Sequence, residues 1–587
     1  MIFLKAAFSA LLSSTSAFAL RKCSSTAHSE YDYIIIGSGA GGGPVAARLA
    51  ENGYSVALIE TGVDESNNIN TTSLLTAWSA IDDPKIDLDY RVKEYPSEFP
   101  VQRNDVWYPR SAGIGGCTIH HAGENSIGGL HETFDNLART FNDSSWSRDN
   151  MQKYWARVER NLYLTPPNPD HGFDGYIKTI RGPMNFSSTD PQWQAIGDAI
   201  IHEAGPLRED INSRVPLPHF GHSLQLWTGD TDFTRSSIRD RLTQIADAPN
   251  SKLTIMTDTL ATRVLLCESS GQKVTAYGVA VVAGAKLPVA QGFAGKQRLD
   301  EREIVARREV IVSGGAFQTP QLLMLSGIGD RAQLKQFGIR TVVHLPGVGS
   351  NLQDNDEVPA WWEFDANFTD ANSIGEALST SIGSTTLEAD IDTYFASNQF
   401  SGFQHVYDSI HQGISVIAAN TRNILTVVNL KAKSSSKGYV RLTGPHPQDL
   451  LDINKMRFQG PGGQADIVAL REAVKRWRAV INENADIQQY LKREVSPGAN
   501  VTSDKDLDEY ILENVFAHHA CCTAAIGPDN DPRAVLDGDF NVRGVKGLRV
   551  VDTSAWPEIL GYFPASPMYM VAEKAADVIL RDAAERD

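Results

Sequence analysis

YDYIIIGSGAGGGPVAARLAENGYSVALIE, residues 31–60, is the stretch that decides the fold. Tyr31 to Ile36 is an apolar, β-branched run that predicts a buried parallel strand, and it turns at once into glycines. Ala46 to Asn52 has helical character and Tyr54 to Ile59 predicts a second buried strand, closing a βαβ unit of about thirty residues. Gly37-Ser38-Gly39-Ala40-Gly41-Gly42 matches G-x-G-x-x-G between strand and helix, and Glu60 ends the second strand. Glycine is needed where the backbone turns tightly, approaches a pyrophosphate and packs on the sheet, while the helix N-terminus offers free N–H groups to the phosphates. An acid at the second strand end can hold a ribose through its hydroxyls. The pattern predicts a dinucleotide site at Gly37, Ser38, Gly39, Gly42 and Glu60. By itself it leaves FAD and a nicotinamide cofactor both open.

Further strand-like runs at Leu253 to Met256, Val274 to Val282, Glu309 to Val312 and Leu548 to Val551 are scattered along the chain. One sheet assembled from such distant pieces implies a discontinuous domain. Between them, Asn168 to His219 and Glu357 to Asn423 mix aromatic, Pro and Gly residues without a long periodic pattern, which suits a lid or cap over a site. Ile467 to Asn482 predicts an amphipathic helix. At 587 residues the chain is long enough for several domain-sized units and a large buried cofactor.

The 54 basic against 71 acidic residues give a formal charge of −17 with no basic run, which argues against nucleic acid or an anionic membrane as a partner. Lys5, the apolar stretch from Ala6 to Phe18, and the small Ala17 and Ala19 predict a secretory signal over residues 1–19. The apolar run of about a dozen residues is too short for a membrane anchor. Sequons at Asn70, Asn142, Asn185, Asn367 and Asn500 are compatible with a glycosylating compartment. The cysteines, Cys23, Cys117, Cys267, Cys521 and Cys522, are sparse and odd in number, so neither a disulfide scaffold nor a metal site is expected.

Four later segments carry a resemblance. They are RSAGIGGCTIHH at Arg110–His121, GGAFQTPQLLMLSGIG at Gly314–Gly329, GVGSNLQD at Gly347–Asp354, and LRVVDTSAWPEI followed by PMYMVAEKAA in the closing segment Leu548–Ala576. In this order they resemble the signatures of the glucose–methanol–choline (GMC) oxidoreductase family, with matches spanning Tyr33 to Ile579. The resemblance implies an α/β fold in which a Rossmann-like FAD-binding domain joins a discontinuous substrate domain built on an antiparallel sheet. It divides the chain into a signal at 1–19, an amino-terminal FAD-binding region at 31–345, a cap segment at 346–434 and a carboxyl-terminal region at 435–579. It also implies an extended FAD with its isoalloxazine ring at the domain junction. Arg110, Gly115 and Gly116 then belong to the loop under the flavin, Leu260 makes a main-chain contact to the adenine, and Asp552, Phe563 and Pro564 meet the cofactor from the closing segment.

Alcohol oxidation needs a base for the hydroxyl proton beside a flavin that takes the hydride. His519 opens HACCTAAIG, similar to the family's H-P-x-G-T-x-x-M-G segment, and so stands at the catalytic histidine. In family members with a covalently bound flavin the Gly-Gly loop reads G-G-C-S-S-H-N; Gly115 to His121 puts His120 at the attachment position, where a covalent bond and a noncovalent contact both remain open. His121 stands where most members have Asn. Members usually carry a second His or Asn before the closing helix, but here that position is Phe563, which neither accepts a proton nor hydrogen-bonds an alkoxide. Tyr562 or His121 could take its place. Cys521 and Cys522 read as small buried fillers rather than nucleophiles, and Trp361 and Trp362 as either pocket or core.

The reading is a secreted FAD-dependent oxidase or dehydrogenase acting on the CH–OH group of a small, aromatic or secondary-metabolite alcohol, with oxygen or another electron acceptor. Two alternatives stand beside it. Phe563 favours an FAD-retaining cyclase or lyase, and a secreted flavin-binding protein without catalysis is the other, against which an intact His519 argues.

Overall fold

The computed structural model describes residues 21–23, 31–81, 83–127, 131–182, 188–205, 207–208, 210–214, 220–223, 226–268, 274–285, 287, 296–369, 374–379, 390–400, 402–403 and 422–587. The signal-like residues 1–19 and the sequon at Asn185 lie outside them.

Strands Tyr31–Ile36 and Val56–Ile59 pair in parallel, with Tyr33 opposite Val56 and Ile36 opposite Ile59. Val56–Ile59 is buried throughout, as a central parallel strand must be when both faces are covered. The helix between them, Gly42–Glu51, presents Val45, Ala46 and Leu49 to the sheet and leaves Glu51 in solvent. The sheet runs in the order Arg21–Lys22, Thr259–Glu268, Val274–Ala283, Arg302–Val312, Tyr31–Ile36, Val56–Ile59, Leu253–Met256, and Leu548–Val550 pairs alongside Arg302–Val312. The expected discontinuous sheet is therefore formed, from residues 21 to 550. Arg302–Val312 pairs antiparallel with Val274–Ala283 at one end and parallel with Tyr31–Ile36 at the other, so it joins two kinds of sheet in one strand.

A second, seven-stranded sheet runs Leu491–Ser496, Asp356–Phe364, Ile424–Lys431, Ile391–Ala396, Ile374–Ser379, Phe220–Ser223, Leu207–Arg208, antiparallel except for its last pair. The segment expected as a lid or cap, Glu357 to Asn423, contributes Tyr394, Ala396, Phe400 and Phe403 to a cavity wall, while its described part is largely strand, a regularity that its residue pattern hides. The reason is burial on both faces: Ile424–Lys431 is buried at seven successive positions, so no period-two alternation exists to be read. Asn168 to His219 likewise contains a regular helix, Pro191–Ala204, capped by Asp190. That helix and Gly460–Glu483 cover one sheet face, where Trp193, Ile200, Trp362, Phe395, Leu425 and Trp477 pack together. The other face turns Tyr394 and Ala396 toward the first domain.

The chain's last helix, Ala565–Arg586, is buried along most of its length and packs on Gly42–Glu51 and Arg148–Val158. Its fully buried Glu573 accepts from Arg48 Nε at 2.8 Å, Arg157 Nη1 at 3.4 Å and Tyr176 Oη at 3.0 Å, tying three separate segments to the carboxyl terminus. Two disulfides are present where none was expected. Cys23 is bonded to Cys267, stapling the short first strand to its parallel neighbour, and the buried Cys521 and Cys522 are bonded to each other. A separation of 244 residues hides the first pair from spacing rules, which read only local patterns.

His171 is a second tie. Its Nδ1 lies 2.6 Å from Glu159 and its Nε2 2.8 Å from Asp210, with no exposed side-chain surface. Burial alone would push this imidazole down; hydrogen bonds to Asp210 and Glu159 outweigh it and hold the group up at about 9. The folded value exceeds the ordinary 6.5, so the pin contributes fully below about pH 6.5 and is lost as pH rises through 9. The shift corresponds to about 3 kcal/mol. We expect denaturant unfolding to show wild-type stability falling between pH 6.5 and 9 by about this amount relative to His171→Gln, whose curve lacks the step.

Candidate functional site

Three strand ends converge at one point. Ile36 leads into Gly37, Val312 into Ser313, and Val550 into Val551 and Asp552. A Cβ on Gly37 would lie 2.1 Å from the Ser313 carbonyl oxygen, where φ is also +100°, and one on Gly41 would lie 2.1 Å from the Val551 carbonyl oxygen. No side chain fits either place, which is why the fingerprint needs glycine there. Ligands of open α/β sheets bind outside such carboxyl ends.

From this point a cavity extends along the molecule, with about 2310 Å³ of empty space, open mouth included. Gly37, Ser38, Gly39, Glu60 and Leu260 line one end, and Arg110, Gly116, His120, His121, His519, Asp552, Phe563 and Pro564 line the rest. Two predicted residues do not line it. Gly42 is buried at the start of the helix, where a Cβ would meet the Gly37 oxygen at 2.1 Å, and Gly115 packs on Ile119; both shape the cavity's walls from behind.

Glu60 does more than expected of it. One carboxylate oxygen accepts from Ser38 N at 3.1 Å and Ser38 Oγ at 2.6 Å, and the other from Gly62 N at 2.9 Å and Gly113 N at 3.2 Å. Ser38 Oγ in turn accepts from Gly115 N at 3.0 Å. Glu60 thus clamps the fingerprint turn to the Gly-Gly loop, and a ribose hydroxyl would have to share oxygens already in use. The two glycine loops come so close that a Cβ on Gly116 would lie 3.0 Å from Gly39 Cα. Asp552 plays a similar part: Oδ2 accepts from Gly315 N at 2.9 Å and Thr319 Oγ1 at 2.6 Å, and Oδ1 from Ser554 N at 2.7 Å.

At the far end sits His519, 6 % exposed. Its Nδ1 is 2.6 Å from Asn355 Oδ1, and the Asn355 amide nitrogen donates to the carbonyls of Ala432 at 2.5 Å and Gly561 at 3.5 Å. Asn355 can therefore only accept at Oδ1, so the His519 proton is on Nδ1 and Nε2 is left as the basic nitrogen. Asp354 Oδ1 accepts from the His519 backbone N–H at 2.7 Å, while its Oδ2 accepts from Tyr108 Oη at 2.8 Å and lies 3.4 Å from Lys455 Nζ. Burial would raise the Asp354 carboxyl, but Lys455 and Arg457 hold it below the usual range. His519 itself is pushed down to about 3, by burial first and by neighbouring His518 next, so the imidazole is neutral at ordinary pH.

His120 and His121 are also held neutral, chiefly by burial, with Arg235 adding to both. His120 Nδ1 is buried without a hydrogen-bond partner. His121 Nδ1 accepts from Gly123 N at 2.9 Å, which puts its proton on Nε2. Phe563 stands edge-on to the His519 ring, 5.6 Å between centroids, and Tyr562 is buried behind it with Ile211 and Leu430. Of the two stand-ins for a polar partner, His121 lines the cavity and Tyr562 does not. Trp361 and Trp362 are not in the wall: Trp362 is core, and Trp361 donates from its ring to the Phe400 carbonyl. The aromatic wall is instead Trp78, Tyr394, Phe400 and Phe403, with His518 beside them.

Asn355, Glu357 and Tyr394 escaped sequence reasoning. Asn355, Asp356 and Glu357 continue the segment that ends at Asp354 as a polar run leading into a mostly apolar strand, which is the local signal for them.

The donor set fits FAD: a glycine-lined turn at a helix start, an acid beside it, and an unpartnered buried imidazole near the other end. We expect Gly41→Ala to force the backbone apart at Val551 and to purify without flavin, as read from the flavin-to-protein absorbance ratio. Gly538→Ala, where an added methyl meets nothing within 4 Å, retains it.

Comparison with known proteins agrees with the geometry. The amino-terminal GMC oxidoreductase family model matches residues 31–357 and the carboxyl-terminal one residues 434–572. The chain is 29% identical to choline oxidase of Arthrobacter globiformis, over 94% of each chain, and 28% identical to the oxidoreductase cicC of Emericella nidulans, again over 94% of each. A crystal structure of formate oxidase superimposes with a TM-score of 0.80 at 23% identity, covering 95% of this chain and all of that one, which supports the fold. Cavity, fold and family matches together make this chain a member of the GMC oxidoreductase family, an FAD-binding enzyme of CH–OH oxidation.

Proposed function

We propose that the enzyme oxidises a small alcohol with an aromatic body, and that His519 is the base. The observation that carries this is the Asn355 contact, which leaves His519 Nε2 unprotonated. FAD, bound in the cavity, supplies the acceptor for the carbon-bound hydride. His519 takes the hydroxyl proton, and His121, with its proton on Nε2, offers the donor to the alcohol oxygen that Phe563 cannot provide. Trp78, Phe400, Phe403 and Phe563 favour a flat apolar substrate body. Phe563 also supports a second reading, an FAD-retaining cyclase or lyase, because it removes a polar group beside the base.

We further propose that His120 carries the flavin covalently through its methyl carbon, supported by an unpartnered, neutral Nδ1 in the cavity wall. Export from the cell is supported by the Cys23–Cys267 disulfide and by exposed sequon residues Asn142, Asn367 and Asn500. Oxygen or another small acceptor takes the electrons onward.

Aryl, aliphatic and amino alcohols are to be screened anaerobically for bleaching of the flavin, after a spectrum taken before and after acid precipitation. We expect aryl alcohols to bleach fastest, His519→Gln to slow bleaching by about 10²- to 10⁴-fold, and the yellow colour to stay with precipitated wild-type protein but not with His120→Ala. Failure of every alcohol, with turnover of a cyclisable polyketide-like compound, would favour the second reading.

A further inference from the structure

Taking a proton turns His519 from a neutral ring into a buried cation, and burial is what holds its proton affinity down. A base in this position needs a counter-charge that is present when the proton arrives and not already neutralised. Two carboxylates are near. Asp354 is occupied by the His519 backbone N–H, the Tyr108 hydroxyl and Lys455. Glu357 is different. Its Oε1 lies 3.9 Å from His519 Nδ1 and 3.2 Å from His518 Nδ1, its Oε2 accepts from Tyr394 Oη at 2.8 Å, and its side chain has no exposed surface. Among the described residues no Lys or Arg forms an ion pair with it. It stands nearest the Nδ1 nitrogen of His519 and is not part of the cavity wall.

We infer that Glu357 is the counter-charge of the reaction: its carboxylate stabilises the imidazolium formed when His519 Nε2 takes the hydroxyl proton, so that the ring is a weak base when Glu357 is neutral and a competent one when it is ionised. In this step the substrate O–H bond breaks, the N–H bond forms at Nε2, the ring goes from 0 to +1, and Glu357 stays at −1, so the buried pair is neutral after transfer. Glu357 touches neither substrate nor cofactor and acts through His519, as a positioning residue. Burial raises its carboxyl to about 7, with the His519 ring and the Tyr394 hydrogen bond opposing and Asp354 adding. The groups that face it are His518, His519, Tyr394, Asp354 and, at longer range, Lys455.

This inference rests on His519 being the base, and the experiment separates the two. Holoenzyme labelled with ¹³C at the histidine ring carbons is titrated by NMR, with His518→Gln and His519→Gln assigning the signals. We expect the His519 signal to step with a midpoint near pH 7, reporting Glu357 ionisation, and the step to vanish in Glu357→Gln. With the fastest-bleaching alcohol, wild-type reduction slows as pH falls through 7, because the carboxylate is being protonated. Glu357→Gln is slower at pH 8 by about 100-fold, lacks that limb, keeps its apparent substrate affinity, and is partly rescued in Glu357→Asp. A step that persists in Glu357→Gln overturns the inference, and so does a variant that only weakens substrate binding, which would make Glu357 a substrate contact. Unimpaired bleaching by His519→Gln sinks the base assignment itself, whatever the titration shows.

Discussion

The carbonyl oxygens of Ser313 and Val551 occupy the space that side chains at positions 37 and 41 would fill. This close approach of three backbone segments, drawn from the beginning, middle and end of the chain, is the constraint on which the rest depends. It brings the fingerprint turn against the Ser313–Gly315 turn and Asp552, and lets Glu60 reach across to the Gly-Gly loop. Side chains have no room at such a junction, so the backbone itself forms the wall of the cavity there.

The other end is organised by burial and charge. Four imidazoles, those of His120, His121, His518 and His519, are all driven to the neutral form, mainly by removal from water. Neutral rings with assigned tautomers are useful here, since each then has one donor and one acceptor nitrogen. For His519 the assignment comes from the hydrogen bond it donates to Asn355 Oδ1, and for His121 from the one it accepts from Gly123 N. Phe563 packs an apolar ring against His519 at right angles, 5.6 Å between centroids.

Much of this was legible in the sequence, for stated reasons. The Tyr31–Glu60 unit declares itself because strand, turn and helix follow one another without interruption. Leu253–Met256 and Val274–Val282 show as strands in the sequence because they are apolar runs set between polar residues. The substrate sheet was not read from its residues, because Asp356–Phe364 and Ile424–Lys431 are covered on both sides and show no alternation. Residues acting on His519 from behind were missed for a related reason. Asn355 and Glu357 matter through contacts some 160 residues away along the chain, and no local pattern encodes a partner at that distance. The Cys23–Cys267 bond was invisible on the same grounds.

The placement of Leu548–Val550 beside Arg302–Val312 has a consequence for biosynthesis. A ribosome delivers residue 37 long before residue 551, so the glycine turn must wait for its opposing wall until Val551 has emerged. A chain truncated ahead of Val551 would present the fingerprint with nothing to close against on that side.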